Sequence, residues 1–292
     1  MPMKHSNAGP SGRGLPVTPP AAVEGRLPPA GGGIATVFAP GRPITDVSID
    51  YGPPAVLGRF FLGTQAIAEA AGVSLSFGTF EDLLATNAKN RDSWKPITSM
   101  FDHRYSAKAL APDRAFCIFG HNAKGEVVAT QAARLFTLTK SSLYDEFSSL
   151  RAFYDDPRGM MQSGETCTVT ADVTRRINGR VLVGGAAWYR PDYRGRELSA
   201  LLPRVSRALA YTRWSTDYTT SIMVEAIIKG GVMTRSGYHN IEWDLAIKNS
   251  TVGDVRCAFV WMEPERLVSD LEEFLDAQTG SEVDGAVLQR RA

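Results

Sequence analysis

The apolar residues of the chain recur with two different periods, and each period predicts one kind of secondary structure. Strict alternation, as in residues 73–77, is typical of a strand with one buried face. Apolar residues three or four positions apart, as from Leu198 onward, are typical of an amphipathic helix. The pattern predicts strands at 73–77, 115–119, 127–138, 166–173, 181–189, 218–228, 241–247 and 257–262. It predicts helices at 55–72, 79–90, 94–105, 198–211, 230–237 and 264–278, with a helix or insertion at 139–154.

The predicted strand, turn and helix at 181–211 form the central unit of the chain. The apolar run at 181–189 is followed by Arg190 and Pro191, and a proline marks the end of such a run. The next turn is rich in charged residues, contains Gly195 and leads into a helix. Free backbone N–H groups at a helix N-terminus, with arginines beside them, indicate an anion site.

Proline and glycine content divides the chain into regions. Residues 1–54 hold 11 of the 17 prolines and 9 of the 27 glycines, with few large apolar side chains before Val37. Such a segment buries too little surface to offset its ordering entropy, so most of it is predicted to be a disordered tail. We expect one folded domain at 55–278, with an insertion at about 139–180, and a second disordered tail at 279–292.

Composition narrows the class of protein. A net charge of +1 over 292 residues argues against a nucleic-acid partner. No apolar run reaches about 18 residues, and the N-terminus lacks the apolar core of a secretory signal, so no membrane association is expected. The three cysteines, Cys117, Cys167 and Cys257, lack metal-ligand spacing, so we expect no metal and reduced thiols in a cytoplasmic protein.

The turn after the central strand carries a resemblance to a known family. It reads Pro191-Asp-Tyr-Arg-Gly-Arg-Glu-Leu-Ser199. This is similar to P-x-Y-R-G-x-G-L-G, the loop whose amides hold the pyrophosphate of acetyl-CoA in GNAT-type N-acetyltransferases. Glu197 and Ser199 stand where the family has glycine, which lets the backbone approach a phosphate closely. The residues that the resemblance implies for binding an acyl-CoA cosubstrate are Trp188, Tyr189, Arg194, Gly195, Arg196, Glu197, Leu198 and Ser199.

A second stretch and the order of the elements extend the resemblance to residues 73–262. The sequence from Gly231 to Tyr238 is similar to the family motif that ends L-Y-x-K-x-G-F. Met233 stands in the place of the tyrosine that protonates the leaving thiolate in many members. The predicted element order is also that of the family. The resemblance implies an α/β fold with a GNAT-like, mixed and mostly antiparallel central sheet flanked by helices.

The family transfers the acyl group directly, which implies roles for further residues. A strand-edge amide at Trp188 or Tyr189 would polarise the thioester carbonyl. Glu225 is the candidate general base, because a carboxylate in an otherwise apolar strand is expected to have a raised pKa. Tyr238 is the candidate acid. The alternatives are a salt-bridged structural glutamate and a tyrosine that serves packing.

The resemblance implies an N-acyltransferase that moves an acetyl group, or another acyl group, from acyl-CoA to a small-molecule or peptide amine. The alternative is a catalytically inactive GNAT-fold module for binding or regulation, favoured by the two lost glycines and by Met233. The resemblance also implies a homodimer. The insertion is a candidate for the acceptor pocket, and Arg204 and Arg207 are expected to be solvated on the polar side of their helix.

Overall fold

The computed structural model describes residues 37–289, with side chains up to residue 278, and an eight-stranded sheet is its central element. Its strands are β1 (Ser74–Gly78), β2 (Ala115–His121), β3 (Val127–Leu138), β4 (Thr166–Val169), β5 (Gly179–Tyr189), β6 (Tyr218–Val224), β7 (Asn240–Ser250) and β8 (Gly253–Met262). The helices are α1 (Pro54–Ala70), α2 (Phe80–Lys89), α3 (His103–Ser106), α4 (Leu143–Ser148), α5 (Arg158–Gln162), α6 (Leu198–Trp214), α7 (Glu225–Lys229), α8 (Val232–Arg235) and α9 (Pro264–Gln289).

The strands lie in the order β1-β2-β3-β5-β6-β8-β7-β4. Among the strand pairs of the described residues, β5–β6 is parallel and the others are antiparallel. The predicted mixed, mostly antiparallel sheet is therefore confirmed. So is the order of elements: strand, helices, hairpin, insertion, strand, helix, strand, helix, two strands. The chain thus has the mixed α/β architecture, with helices on both faces of the sheet, that the resemblance implied.

Two cores cover the two faces of the sheet. On the first face, α1, α6 and α9 pack against one another and bury a cluster that includes Leu201 and Leu271. On the second face, α2, α4 and the segment around Phe101 bury a separate cluster that includes Phe147 and Phe259. The crossover helix α6 thus lies on the first face, which fixes the side of the sheet on which the loop before it opens.

The first residues that the structure describes belong to the region predicted to be mostly a disordered tail. Residues 1–36 lie outside the described residues, but the segment from residue 37 to α1 is packed onto the sheet. Phe38 is buried with its ring 4.6 Å from that of Phe116. Ile44 is also buried, and Pro43 forms a bridge with Ser76 of β1. A few well-placed apolar side chains attach this segment to a core built by the rest of the chain, which composition alone does not detect. At the other end, α9 continues to Gln289, beyond the helix end predicted at 278.

The insertion becomes part of the sheet. Its strand β4 pairs with β7 and forms one edge of the sheet, and α4 covers the second face. Ser142 begins α4 with a capping box, in which its hydroxyl accepts from the Asp145 N–H and the Asp145 carboxylate accepts from the Ser142 N–H. The segment predicted as one helix at 94–105 is instead irregular up to a 3-10 turn at Ser99–Phe101, followed by α3.

Candidate functional site

The gap between β5 and β6 forms the main cleft of the described residues. The two parallel strands pair from Val181↔Tyr218 to Gly184↔Ser221. Beyond these residues, β5 remains paired with β3 and β6 with β8, so the two strands separate. A cleft of about 840 Å³ occupies the space between them.

An irregularity in β5 lies where the strands separate. The register between β3 and β5 shifts, because Thr130 pairs with Trp188 while Ala132 pairs with Gly185. This leaves one extra residue on β5, and Ala186 takes up the bulge with a φ of 49°. The Thr130 hydroxyl donates to the Ala186 carbonyl at 2.9 Å and stabilises this conformation.

The backbone of Tyr189 is directed into the cleft. The next N–H, that of Arg190, donates to the Val128 carbonyl of β3 at 2.8 Å. Backbone groups of successive strand residues point to opposite edges, so those of Tyr189 point away from β3. In agreement, the Tyr189 carbonyl accepts from Arg194 Nε at 3.3 Å, on the side of the cleft.

The loop after β5 has the backbone that an anion site needs. Gly195 and Glu197 have left-handed conformations, with φ of 76° and 60°. Helix α6 begins at Leu198, so the N–H groups of Leu198 and Ser199 have no partner within the helix. These donors lie at the positive end of a 17-residue helix, where a phosphate is stabilised. We call this part of the cleft, from Tyr193 to Ser199, the loop end.

The first turns of α6 are irregular in two respects. Glu197 occupies the N-cap position, and Pro203 lies inside the helix. Since proline has no N–H, the carbonyl of Ser199 lacks its usual intrahelical donor. Glu197 has a positive φ, which is a conformation that suits glycine, and the family pattern has glycine at this place.

The three arginines of this region have different surroundings. Arg190 binds Asp192 at 2.7 Å and Glu126 at 3.0 Å, and it keeps the pKa of Asp192 below its usual range. Arg196 packs over the Tyr193 ring at 4.3 Å and donates to the Ala71 carbonyl at the end of α1. Only Arg194 lines the cleft among these three.

The other end of the cleft opens on the second face of the sheet and was not predicted from the sequence. It is lined by Ser93–Thr98, Phe101 and Trp188, which we call the tryptophan end. The rings of Trp94 and Trp188 stack with centroids 5.3 Å apart and planes inclined by 10°. The available signal was a tryptophan two residues before a proline in a mostly polar segment. The insertion at 139–180 does not line this cleft, so it does not shape an acceptor pocket there.

The prediction of a desolvated Glu225 is wrong. Strand β6 ends at Val224, and Glu225 is the first residue of α7. Its side chain is exposed and binds Lys229 at 2.8 Å. The hydrogen bond from Lys229 lowers the pKa of Glu225, opposite to the shift expected of a general base.

Tyr238 is buried beside the cleft. The Arg207 guanidinium lies 4.9 Å from the centre of its ring. Burial raises the pKa of Tyr238, so the phenol keeps its proton at neutral pH. Met233, which holds the place of the family tyrosine, is not among the lining residues.

Most of the predicted site residues meet in one cleft. Those that line it are Trp188, Tyr189, Arg194, Gly195, Glu197, Leu198, Ser199 and Tyr238. Arg196 and Glu225 do not. Among the described residues, no cluster of three His, Cys, Asp or Glu side chains could hold a metal ion. Nor is any helix of the described part long and apolar enough to cross a bilayer.

Comparison with known proteins finds likeness among solved structures alone. No family model and no curated protein matches the chain. An aminoglycoside acetyltransferase, AAC(6')-Ib in complex with coenzyme A and kanamycin, is 11% identical, with 66% of this chain and 96% of that chain covered and a TM-score of 0.38. The spermidine/spermine N-acetyltransferase SpeG from Vibrio cholerae is 8% identical over 68% and 98%, with a TM-score of 0.40. Mycobacterium smegmatis RimJ in complex with CoA-disulfide is 13% identical over 70% and 90%, also at 0.40.

Proposed function

We propose that this chain is an acyl-CoA-dependent N-acyltransferase that passes an acetyl group, or another acyl group, directly to a primary amine. The observation that carries the proposal is the junction of β5 and α6. There a strand edge with a bulge, a loop with left-handed residues and a helix N-terminus all border one cleft. Such a junction supplies donors for a phosphate and for a carbonyl oxygen along the same cleft.

The donor would lie across the loop end. Its pyrophosphate would accept hydrogen bonds from the N–H groups of Leu198 and Ser199, and Arg194 would add a charge-assisted contact. Its thioester would then reach the gap between β5 and β6. The Tyr189 N–H would polarise the thioester carbonyl, because this group is directed away from β3.

The chemical step needs an amine without its proton. The amine nitrogen attacks the carbonyl carbon, a C–N bond forms, and the C–S electron pair leaves with the sulfur of CoA. The attacking nitrogen gives its extra proton to water. Tyr238 is our candidate for the proton donor to the sulfur, since its phenol is protonated at neutral pH and lines the cleft.

The alternative, an inactive module that binds without turnover, is favoured by one observation. Glu197 adds a carboxylate to the loop end, where a pyrophosphate would lie. A negative charge at that place weakens anion binding. The two candidates differ in whether CoA binds there and whether thiol is released when an amine is added.

Thermal unfolding with and without acetyl-CoA tests whether the donor binds at the loop end. A ligand at 100 times its Kd adds about 2.7 kcal/mol to the stability of the native state, enough to raise Tm by several degrees. Gly195→Trp should remove the shift, because a side chain there projects into open space at the loop end. Gly253→Trp is the matched control, as Gly253 also has a positive φ and open surroundings but lies in the β7–β8 turn. The absence of a shift at millimolar acetyl-CoA would exclude the transferase.

A further inference from the structure

The tryptophan end of the cleft indicates what kind of amine the protein accepts, and this inference rests on the proposed function. The loop end lies on the first face, beside α6. The tryptophan end opens on the second face, since Trp94, Ile97 and Phe101 belong to the second core. A donor that occupies the loop end leaves the tryptophan end as the approach for the acceptor.

The walls of the tryptophan end are apolar and already ordered. Trp94 and Trp188 are buried and stacked, and Trp188 Nε1 donates to the Ser93 hydroxyl at 3.1 Å. Ile97 and Phe101 extend the apolar surface. Contact of an apolar ligand with these aromatic walls is favourable, because it removes apolar surface from water.

The charges around the cleft are mostly positive. Its cationic side chains, among the described residues, are those of Lys95, Arg194, Arg235 and Arg207, of which Arg207 is paired with Asp270 at 2.9 Å. The carboxylate that lines it is that of Glu197, at the loop end. A second ammonium group on an acceptor would meet Lys95 at the tryptophan end and no carboxylate. Two like charges at close range repel each other, and the repulsion weakens as salt is added.

The same surroundings favour the reactive form of an amine that has a single charge. Burial against apolar walls and nearby cations both disfavour an ammonium ion relative to the neutral amine. Such an amine can lose its one proton to water as it enters. A polyamine that loses one proton is still charged, because its remaining ammonium groups must enter the positive cleft.

We propose that the acceptor is a primary amine with an apolar, aromatic or alkyl body and without a second cationic group. Lys95 excludes dications, and Trp94 with Trp188 selects the apolar body.

A matched pair of amines isolates the charge. Release of the CoA thiol from acetyl-CoA is measured with n-hexylamine, 1,6-diaminohexane and 2-phenylethylamine. The first two have the same chain and differ in the second ammonium group. We expect kcat/KM for n-hexylamine and 2-phenylethylamine to exceed that for 1,6-diaminohexane at least tenfold, and the ratio to fall as salt is added.

Two variants test the residues. Lys95→Glu should raise the ratio of kcat/KM for 1,6-diaminohexane to kcat/KM for n-hexylamine about tenfold. Lys89→Glu, an exposed lysine of α2 that does not line the cleft, is the control and should change neither. Trp94→Ala should reduce kcat/KM for 2-phenylethylamine more than for n-hexylamine, and Lys95→Glu keeps the test valid if Trp94→Ala does not fold.

The outcomes separate this inference from the proposed function. Equal or better turnover of 1,6-diaminohexane by the unmodified chain overturns the inference and leaves the transferase standing. Turnover of 1,6-diaminohexane but of neither apolar amine does the same. If acetyl-CoA gives no Tm shift and no thiol is released, the proposed function fails as well.

Discussion

Arg207 of α6 donates to Asp270 of α9 at 2.9 Å in the interior, where the two residues are each 2% exposed. Arg204 donates to the other carboxylate oxygen at 2.8 Å, so one aspartate neutralises two guanidinium groups. The expectation that both arginines are solvated is therefore wrong. They connect the crossover helix to the C-terminal helix, and Arg207 reaches the Ser236 carbonyl at the end of α8.

Asp270→Asn should be strongly destabilising. It leaves two buried guanidinium groups without a counter-charge, and breaking a buried ion pair typically costs about 3–5 kcal/mol. Urea unfolding measures the change. Asp254→Asn is the control, because the Asp254 pair with Lys248 is exposed and its loss should have little effect. Equal stability of the two variants would show that the interior pair adds nothing.

Glu197→Gly should make the loop both more stable and a better anion site. The left-handed conformation of Glu197 costs a non-glycine residue roughly 1 kcal/mol, which glycine avoids. Removal of the carboxylate should also lower the Kd for CoA, as measured by calorimetry. Glu197→Gln separates the two effects, since it removes the charge and keeps the strain. Weaker CoA binding by Glu197→Gly would mean that the carboxylate assists the ligand.

Tyr238→Phe should lower kcat about 100-fold if the phenol protonates the departing thiolate. The KM for acetyl-CoA should stay close to its original value, because the ring remains in place. Tyr211→Phe is the control, because Tyr211 is also buried but does not line the cleft. Burial raises the pKa of Tyr211 to about 12. Full activity of Tyr238→Phe would leave water as the proton donor.

Glu225→Gln should change kcat/KM by no more than about twofold. The side chain is exposed and paired with Lys229, and its lowered pKa makes it a poor base. The rate should therefore follow deprotonation of the amine as pH rises, with the same profile in the variant and the unmodified chain. A 100-fold loss, the size expected for a general base, would restore the role predicted from the sequence.

Glu165→Gln should raise Tm at neutral pH, and the increase in Tm should be smaller in acid. Glu165 is buried and accepts from the Tyr154 hydroxyl at 2.7 Å, and burial raises its pKa above the usual value of 4.5. A carboxyl with a raised pKa in the folded chain favours folding while it is protonated. Its ionisation opposes folding as pH rises from the unfolded value through the folded one. Melting curves between pH 4 and 8 test this, and a gain independent of pH would contradict it.

The sequence by itself determined the elements whose residues interact locally. The strand, loop and helix at 181–211 follow from an apolar run, a proline, left-handed turn positions and helical spacing, which act within a few residues of one another. The same local signals fix the Thr79 cap of α2 and the β2–β3 hairpin. The order of elements then restricts the sheet to few arrangements, so the fold could be predicted.

Tertiary structure decided which side chains share the cleft, because that depends on contacts distant in sequence. Strand β6 ends one residue before Glu225, which moves that carboxylate to the surface. Arg196 packs against the end of α1 instead of the cleft. Trp94 joins the site only because it stacks on Trp188, 94 residues away. No local pattern contains this information, because burial and electrostatic environment arise from the assembled sheet and its helices.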